Sequence, residues 1–439
     1  MKKLLFFWNE LKASFWFIPV LLILLGILLA VGLVYLDSLI SIDQNGILRF
    51  FFVQNLDSAR SILTTISSAM IGVAGTVFSV TLVVLTLAAS QFGPRLIKNF
   101  MDIRLNQVVL GAYIATFLFC LLVLSSIKDQ EDYVFIPSIS ILFAVFATIA
   151  NIVLLIFFIH KIAISIQADK VVSDISVFIS KQVQTLFPEK MGDDPEEEPE
   201  FDLDQTINQY SKSFSLKSPK SGYLQYVDSA ALMESAEEKN IMMNLYYRPG
   251  SYLVIGMELA KIYSQKELEK DDLEQLIDHF VIGKTKTAQQ DLEHSIHQMV
   301  EIAVRALSPG INDPYTAISC IDNLSTTMSY LTQSRLPSKY RYDSNQTLRI
   351  IADNLGFEGM MDAAFNQIRQ FAGAIPAVLI RMMEAFITIN EFAKKKTHQE
   401  AIIKHAEMVL RVGRETIKEK HDLKDLEERA EKILSLTKK

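Results

Sequence analysis

The chain has 439 residues, half of them hydrophobic, and a formal net charge of −7. The apolar runs crowd into residues 1–187, which carry a net +2, and the remainder is acidic at −9. An acidic remainder excludes the basic face that nucleic-acid binders present. Only Cys120 and Cys320 occur, too few for a disulfide framework or a zinc site, and they fit a reducing compartment.

Lys2 and Lys3 precede a long apolar run, as in a signal peptide. The run from Phe15 to Leu36 exceeds a typical h-region and lacks a clear cleavage site, so a retained span is expected. Residues 2–14 mix lysine with Leu, Phe and Trp, as a short interfacial helix does. A loop with an Asn45-Gly46 turn signal follows the first span. Four spans are predicted, at about 17–36, 61–91, 108–127 and 135–159, each long enough to cross a bilayer. Lys and Arg cluster before the first span (Lys2, Lys3, Lys12), in the second loop (Arg95, Lys98, Arg104) and after the fourth span (Lys161, Lys170, Lys181). The first and third loops are poorer in them, which predicts both termini in the cytoplasm.

The second span reads SILTTISSAMIGVAGTVFSVTLVVLTLAASQ and carries no charge. Ser68, Gly72, Gly75, Ser79 and Thr86 recur at three-, four- and seven-residue steps and share one helical face. Such a face suits close helix packing or a path lined by hydroxyls and backbone. The two coincide where the helix packs against copies of itself around an axis.

Beyond residue 162, Ile164, Val171, Ile175, Phe178, Val183 and Leu186 continue an apolar stripe, predicting a helical stalk over 163–187 that needs a partner. PEKMGDDPEEEPEFD, from Pro188, opens an acidic linker to residue 212. Short strands around Gly222 to Val227, Ile241 to Tyr247 and Tyr252 to Ile255 predict a small β-rich module over 213–265. Its pattern resembles half of a small barrel of the lipoyl-like hybrid type, without the lysine-tipped hairpin that receives lipoate. From Leu268 the chain reads helical, giving an α-helical domain over 266–439. Within it, Ala288 to Leu307 is strongly periodic and Ser308-Pro309-Gly310 stops it. Asp313 then caps a helix with Pro314 at its first position. A long helix over Asp362 to Lys394, kinked at Pro376, and an amphipathic segment over His398 to Ser435 complete the chain.

DLEHSIHQMVEIAVRALSPGINDPYTA, from Asp291 to Ala317, together with Ser90-Gln91-Phe92-Gly93-Pro94-Arg95 and Tyr247-Arg248-Pro249-Gly250, resembles a bacterial family of predicted membrane proteins, domain of unknown function 2254. The resemblance covers nearly the whole chain. It implies a bacterial inner-membrane protein and no particular activity.

Chemistry must therefore come from the residues. His294 and His297 are spaced i,i+3, whereas helical zinc pairs are usually i,i+4, so a salt-bridged helix edge is the simpler reading. Ser308 lacks the nucleophile-elbow pattern, and no P-loop or dinucleotide fingerprint occurs. Arg248, Arg305, Ser308, Asn312 and Asp313 are assigned as a structural motif, with Arg305 placed to bridge the corner to Asp313. No catalytic residue, metal or cofactor is expected. Two function classes remain. One is a homo-oligomeric channel or transporter for an ion or small solute, with the second span lining the path and the cytosolic part regulating it. The other is a non-conducting scaffold or sensor whose cytosolic helices bind partners.

Overall fold

The computed structural model of the chain describes residues 14–39, 55–93, 104–130, 133–165, 167–186, 203–353 and 355–435. The interfacial helix expected before residue 14, the Asn45-Gly46 turn and the acidic Pro188 to Asp202 stretch lie outside the described residues. The chain forms two compact units, Met1–Gln167 and Ala168–Lys439.

The first unit holds four helices long and apolar enough to cross a membrane: α1 (Phe17–Leu39), α2 (Leu56–Phe92), α3 (Arg104–Ser126) and α4 (Ser138–Ser165). A short antiparallel hairpin, β1 (Lys128–Gln130) and β2 (Tyr133–Phe135), joins α3 to α4. Helix α3 is the centre, in contact with the other three. Small residues let α1 come close to it. A Cβ on Gly111 would stand 2.8 Å from Pro19 Cα, and one on Gly26 would stand 3.1 Å from Ala115 Cβ. Polar groups then fix the register. Asn151 on α4 donates through Nδ2 to Thr116 Oγ1 on α3 at 2.8 Å, and Tyr113 OH donates to the Asn151 carbonyl at 2.8 Å. At the end of α1, Asp37 accepts from Ile139 N, Ser140 N and Ser140 Oγ at 2.8, 3.0 and 2.6 Å. The first amides of a helix have no partner within it, so a carboxylate from α1 closes the start of α4.

The second unit begins with α5 (Ala168–Leu186) and α6 (Leu203–Ile207). Then come β3 (Lys212–Lys217), β4 (Gly222–Val227), α7 (Ser229–Lys239), β5 (Ile241–Leu245), β6 (Tyr252–Leu253), β7 (Glu258–Ser264), α8 (Lys270–Ile277) and β8 (Phe280–Gly283). The remaining elements are α9 (Leu292–Ala306), α10 (Pro314–Thr332), β9 (Tyr340–Tyr342), β10 (Leu348–Ala352), α11 (Phe357–Phe371), α12 (Pro376–Phe392), α13 (Lys396–Thr416) and α14 (Lys420–Leu434).

The strands form two open sheets, ordered β3-β7-β5-β10-β9 and β6-β4-β8. Every pairing is antiparallel except β5 with β10, which is parallel. The two sheets, with α7 and α8, enclose one core that includes Leu224, Leu232, Met243, Ile262, Leu276 and Ile350. The barrel-like module expected over 213–265 is therefore corrected: neither sheet closes. The position beside β5 is taken by β10, a strand about a hundred residues downstream, and among the described residues the larger sheet ends at β3 and β9. The all-helical reading from Leu268 is corrected by the same strands, β8, β9 and β10.

The helices pack among themselves beside this sheet region. Helix α9 lies against α5, α10 and α11, and α12 lies against α10, α13 and α14. Most of the apolar stripe of α5 thus finds its cover within this unit, while Phe178 stays exposed. Val172, Ile175, Ile179 and Val183 are buried, and Gln182 accepts from Ser295 Oγ at 2.7 Å and donates to the Ala288 carbonyl. The long helix expected to kink at Pro376 is two helices. Helix α11 ends at Phe371, and Pro376 opens α12 at a first-turn position, where its missing N–H costs nothing.

Candidate functional site

Two features of the described residues present chemistry that the core does not use. The first is the outward face of α2. Leu63, Met70, Ala74, Val77, Thr81, Val84 and Ala88 are buried against neighbouring helices. Ser68, Gly72, Gly75, Ser79 and Thr86 lie on the opposite side and are all exposed. A Cβ on Gly72 or Gly75 would meet no atom within 4 Å. Among the described residues of the first unit, the small face therefore packs against no other helix, and the close approach that small residues permit occurs between α1 and α3 instead. The hydroxyls bond back to their own helix, Ser79 Oγ to Gly75 O and Thr86 Oγ1 to Leu82 O, each at 2.9 Å. Exposed positions elsewhere are larger: α1 presents Leu21, Leu24, Leu25 and Leu28, α4 presents Phe146, Ile149, Ile152 and Ile156, and α2 itself presents Phe78, Leu82, Val83 and Leu87 beside the small residues.

The second feature is a cleft of about 400 Å³ in the second unit. The carboxyl ends of the two parallel strands open onto it: Leu245, Tyr247 and Arg248 follow from β5, and Ala352 and Asp353 from β10. The crevice beyond the carboxyl ends of parallel strands is where open α/β sheets bind ligands. The amino ends of α7 (Ser229) and α9 (Asp291, Leu292, Glu293) and Arg341 of β9 complete the polar wall. Gln290 holds the two helix ends together, accepting from Val227 N at 2.9 Å and donating to Val227 O at 3.1 Å.

Arg248 is neutralised in place by Glu293 at 2.8 Å and Asp353 at 3.3 Å. Asp291 caps α9 through Oδ1, accepting from His294 N at 2.9 Å. It is 4% exposed, and its Oδ2 has no hydrogen-bond partner, with Lys286 Nζ 4.0 Å away. Burial pushes this carboxyl above the usual range, against the pull of the His294 amide and of Lys286. The Arg-Pro-Gly turn explains itself here. Gly250 has φ +95°, and a Cβ there would fall 2.1 Å from Asp291 Oδ2, so only glycine fits beneath the carboxylate.

The remaining residues assigned to the motif lie at the other end of α9, roughly 20 Å along the helix axis. Arg305 is half-buried in the last turn. Ser308 Oγ donates to the Arg305 carbonyl at 2.6 Å, and the Ser308 carbonyl accepts from Asn312 N at 2.9 Å. Asn312 adopts φ +51°, and Asp313 caps α10, accepting from Thr316 N at 3.1 Å and Thr316 Oγ1 at 2.5 Å. The motif thus has two halves, a cleft end and a corner. Sequence reading singles out the corner and Arg248; it does not assign Asp291, Ser229, Arg341 or Asp353 to a site. Among the described residues no group of three or more His, Cys, Asp or Glu side chains converges as a metal site.

A family model described as "Predicted membrane protein (DUF2254)" matches residues 12–388. Uncharacterized proteins of Mycobacterium bovis and of two strains of Mycobacterium tuberculosis are 28% identical over 420 residues, covering 94% of this chain and 79% of theirs. No solved structure matches. With the match running from ahead of the first span into α12, and so taking in both the four apolar helices and the cleft, the chain belongs to the DUF2254 family of predicted membrane proteins.

Proposed function

We propose that the protein is a homo-oligomeric channel or transporter of the bacterial inner membrane, with α2 lining the path and the second unit as a cytosolic regulatory domain. The carrying observation is the uncovered face of α2. Exposed surfaces on α1 and α4 are built of Leu, Ile and Phe, whereas this face offers Gly, Ser and Thr over Ser68 to Ser79, with Leu82 and Val83 standing between Ser79 and Thr86. Hydrocarbon rewards large apolar groups, so a small, hydroxyl-bearing face suits contact with a second copy of the helix or with water. At about 1.5 Å per residue the 37-residue helix is ~55 Å long, enough to cross the hydrocarbon and continue beyond it. The path would use hydroxyls and backbone, since the exposed stripe carries no ionisable group.

Cysteine scanning tests this reading. Cysteines at Ser68, Gly72, Ser79 and Thr86 should react with water-soluble thiol reagents in intact membranes. Those at Val77 and Val84, about half a turn away against the other helices, should stay protected. Leu or Phe at Gly72 or Gly75 should block flux or prevent assembly. Uniform protection in a protein that still assembles would remove the path and leave the second reading, a membrane scaffold or sensor. The cleft in the second unit is the observation that favours that alternative.

A further inference from the structure

The cleft holds an arginine, Arg341, that no described carboxylate of the fold pairs with. Arg341 Nε is buried and has no hydrogen-bond partner, and among the described residues no carboxylate pairs with this side chain. Its one side-chain hydrogen bond among the described residues is Nη1 to Ser229 Oγ at 3.3 Å. Burial alone pushes the guanidinium below its ordinary range. The acids that might have served it are spent elsewhere: Glu293 and Asp353 on Arg248, and Asp343 on Arg349 at 2.8 Å. A cation partly withdrawn from water without an anion is costly to the fold, and a bound anion removes that cost.

The surroundings of Arg341 suit an anion. Ser229 is the first residue of α7, an 11-residue helix, so the free amides of its first turn add partial positive charge. Asp228, the capping acid, directs its carboxylate to Ala231 N at 3.3 Å. The rest of the wall is mostly apolar, from Leu186, Leu245, Pro337, Leu355 and Met360. A second polar group waits inside, the unpartnered Oδ2 of Asp291. The volume, about 400 Å³, is that of a small-molecule site.

We propose that the cleft binds a small, partly apolar molecule through an oxyanion, either a carboxylate or a phosphate. The anion sits between Arg341 and the first turn of α7, and Asp291 Oδ2 makes the second polar contact. This site stands independently of any path along α2, and its loss would leave that reading untouched.

The test uses full-length protein in detergent and four probes: phenyl phosphate, benzoate, inorganic phosphate and benzyl alcohol. Calorimetric titration should show saturable binding of phenyl phosphate or benzoate, and which of the two binds tighter names the anion. Inorganic phosphate should bind more weakly for want of an apolar body, and benzyl alcohol more weakly for want of charge. Arg341→Gln should lose about tenfold or more in affinity for the anions. Ser229→Asp gives Arg341 a carboxylate in place and puts an acid in the first turn of α7, where it is favoured. This variant should fold, melt higher than wild type without ligand, and fail to bind the anions. No saturable anion binding to folded wild type would overturn the proposal. So would unchanged affinity in both variants, or benzyl alcohol binding as tightly as benzoate.

Discussion

Two histidines show how burial dominates a pH response. His398 and His405 lie two turns apart on α13 and both face inward. His398 stacks on Phe357 with ring centroids 4.4 Å apart, and His405 is wholly buried beside Phe365 and Phe386. Burial pushes each imidazole down to about 4, with Lys395 adding to the fall at His398. Asp362 Oδ1, 3.3 Å from His405 Nε2, pulls the other way without overcoming it. Both rings are thus neutral in the folded protein above about pH 4, but protonate in the unfolded chain below about 6.5. Their contribution is fully present above pH 6.5 and is lost as pH falls toward 4, at ~2 kcal/mol per histidine by pH 5. The melting temperature of the solubilised protein should fall across that window. A His398→Phe, His405→Leu variant should fall distinctly less between pH 7 and 5. Parallel curves for the two proteins would sink this account.

At the scale of elements, the spans are joined by a few polar contacts set in apolar packing. Asn151 ties α4 to α3, and Asp37 ties the end of α1 to the start of α4. Asn151→Ala removes a bond between helices and should cost about 1 kcal/mol. Asp37→Ala strips acceptors from two amides and a hydroxyl and should cost about 1–2 kcal/mol, as a lost helix cap does. Unfolding by SDS titration in mixed micelles measures both. No change in either variant would mean that packing at Gly26, Gly111 and their partners holds the spans unaided. Proline acts at this scale too. Both Pro314 and Pro376 begin helices, so each starts an element and neither bends one.

For the whole molecule, the distribution of Lys and Arg predicts both termini in the cytoplasm. Reporter fusions at residues 45 and 131 should read periplasm, and those at 98 and 200 cytoplasm. A cytoplasmic reading at residue 45 would overturn the proposed arrangement. The same arrangement puts the cleft in the cytoplasm, where soluble anions could reach it.

The four apolar helices were legible in the sequence because a backbone in hydrocarbon must be satisfied within a helix or a closed barrel, and a charge-free, continuously apolar run of that length fits the helix and not the short alternating strands of a barrel. The stop of α9 and the start of α10 were legible too, since Ser308-Pro309-Gly310, Asp313 and Pro314 act within a few residues of where they stand, whereas α9 begins at Leu292, capped by Asp291, and not at Ala288. What lay hidden depends on distant partners. Leu348 to Ala352 is buried at every position, so it shows no alternation, and it becomes a strand only by pairing in parallel with β5, a hundred residues earlier. The cleft follows from that pairing: Arg248, Ser229, Asp291, Arg341 and Asp353 come from five separate stretches, and only Arg248 and Asp291 lie within the recognisable motifs. The small face of α2 was visible as a pattern. Whether it would be covered was decided by α3, which binds α1 through glycine and leaves that face of α2 outward. Periodicity assigns residues to faces, but which face is covered depends on the helices that pack beside it.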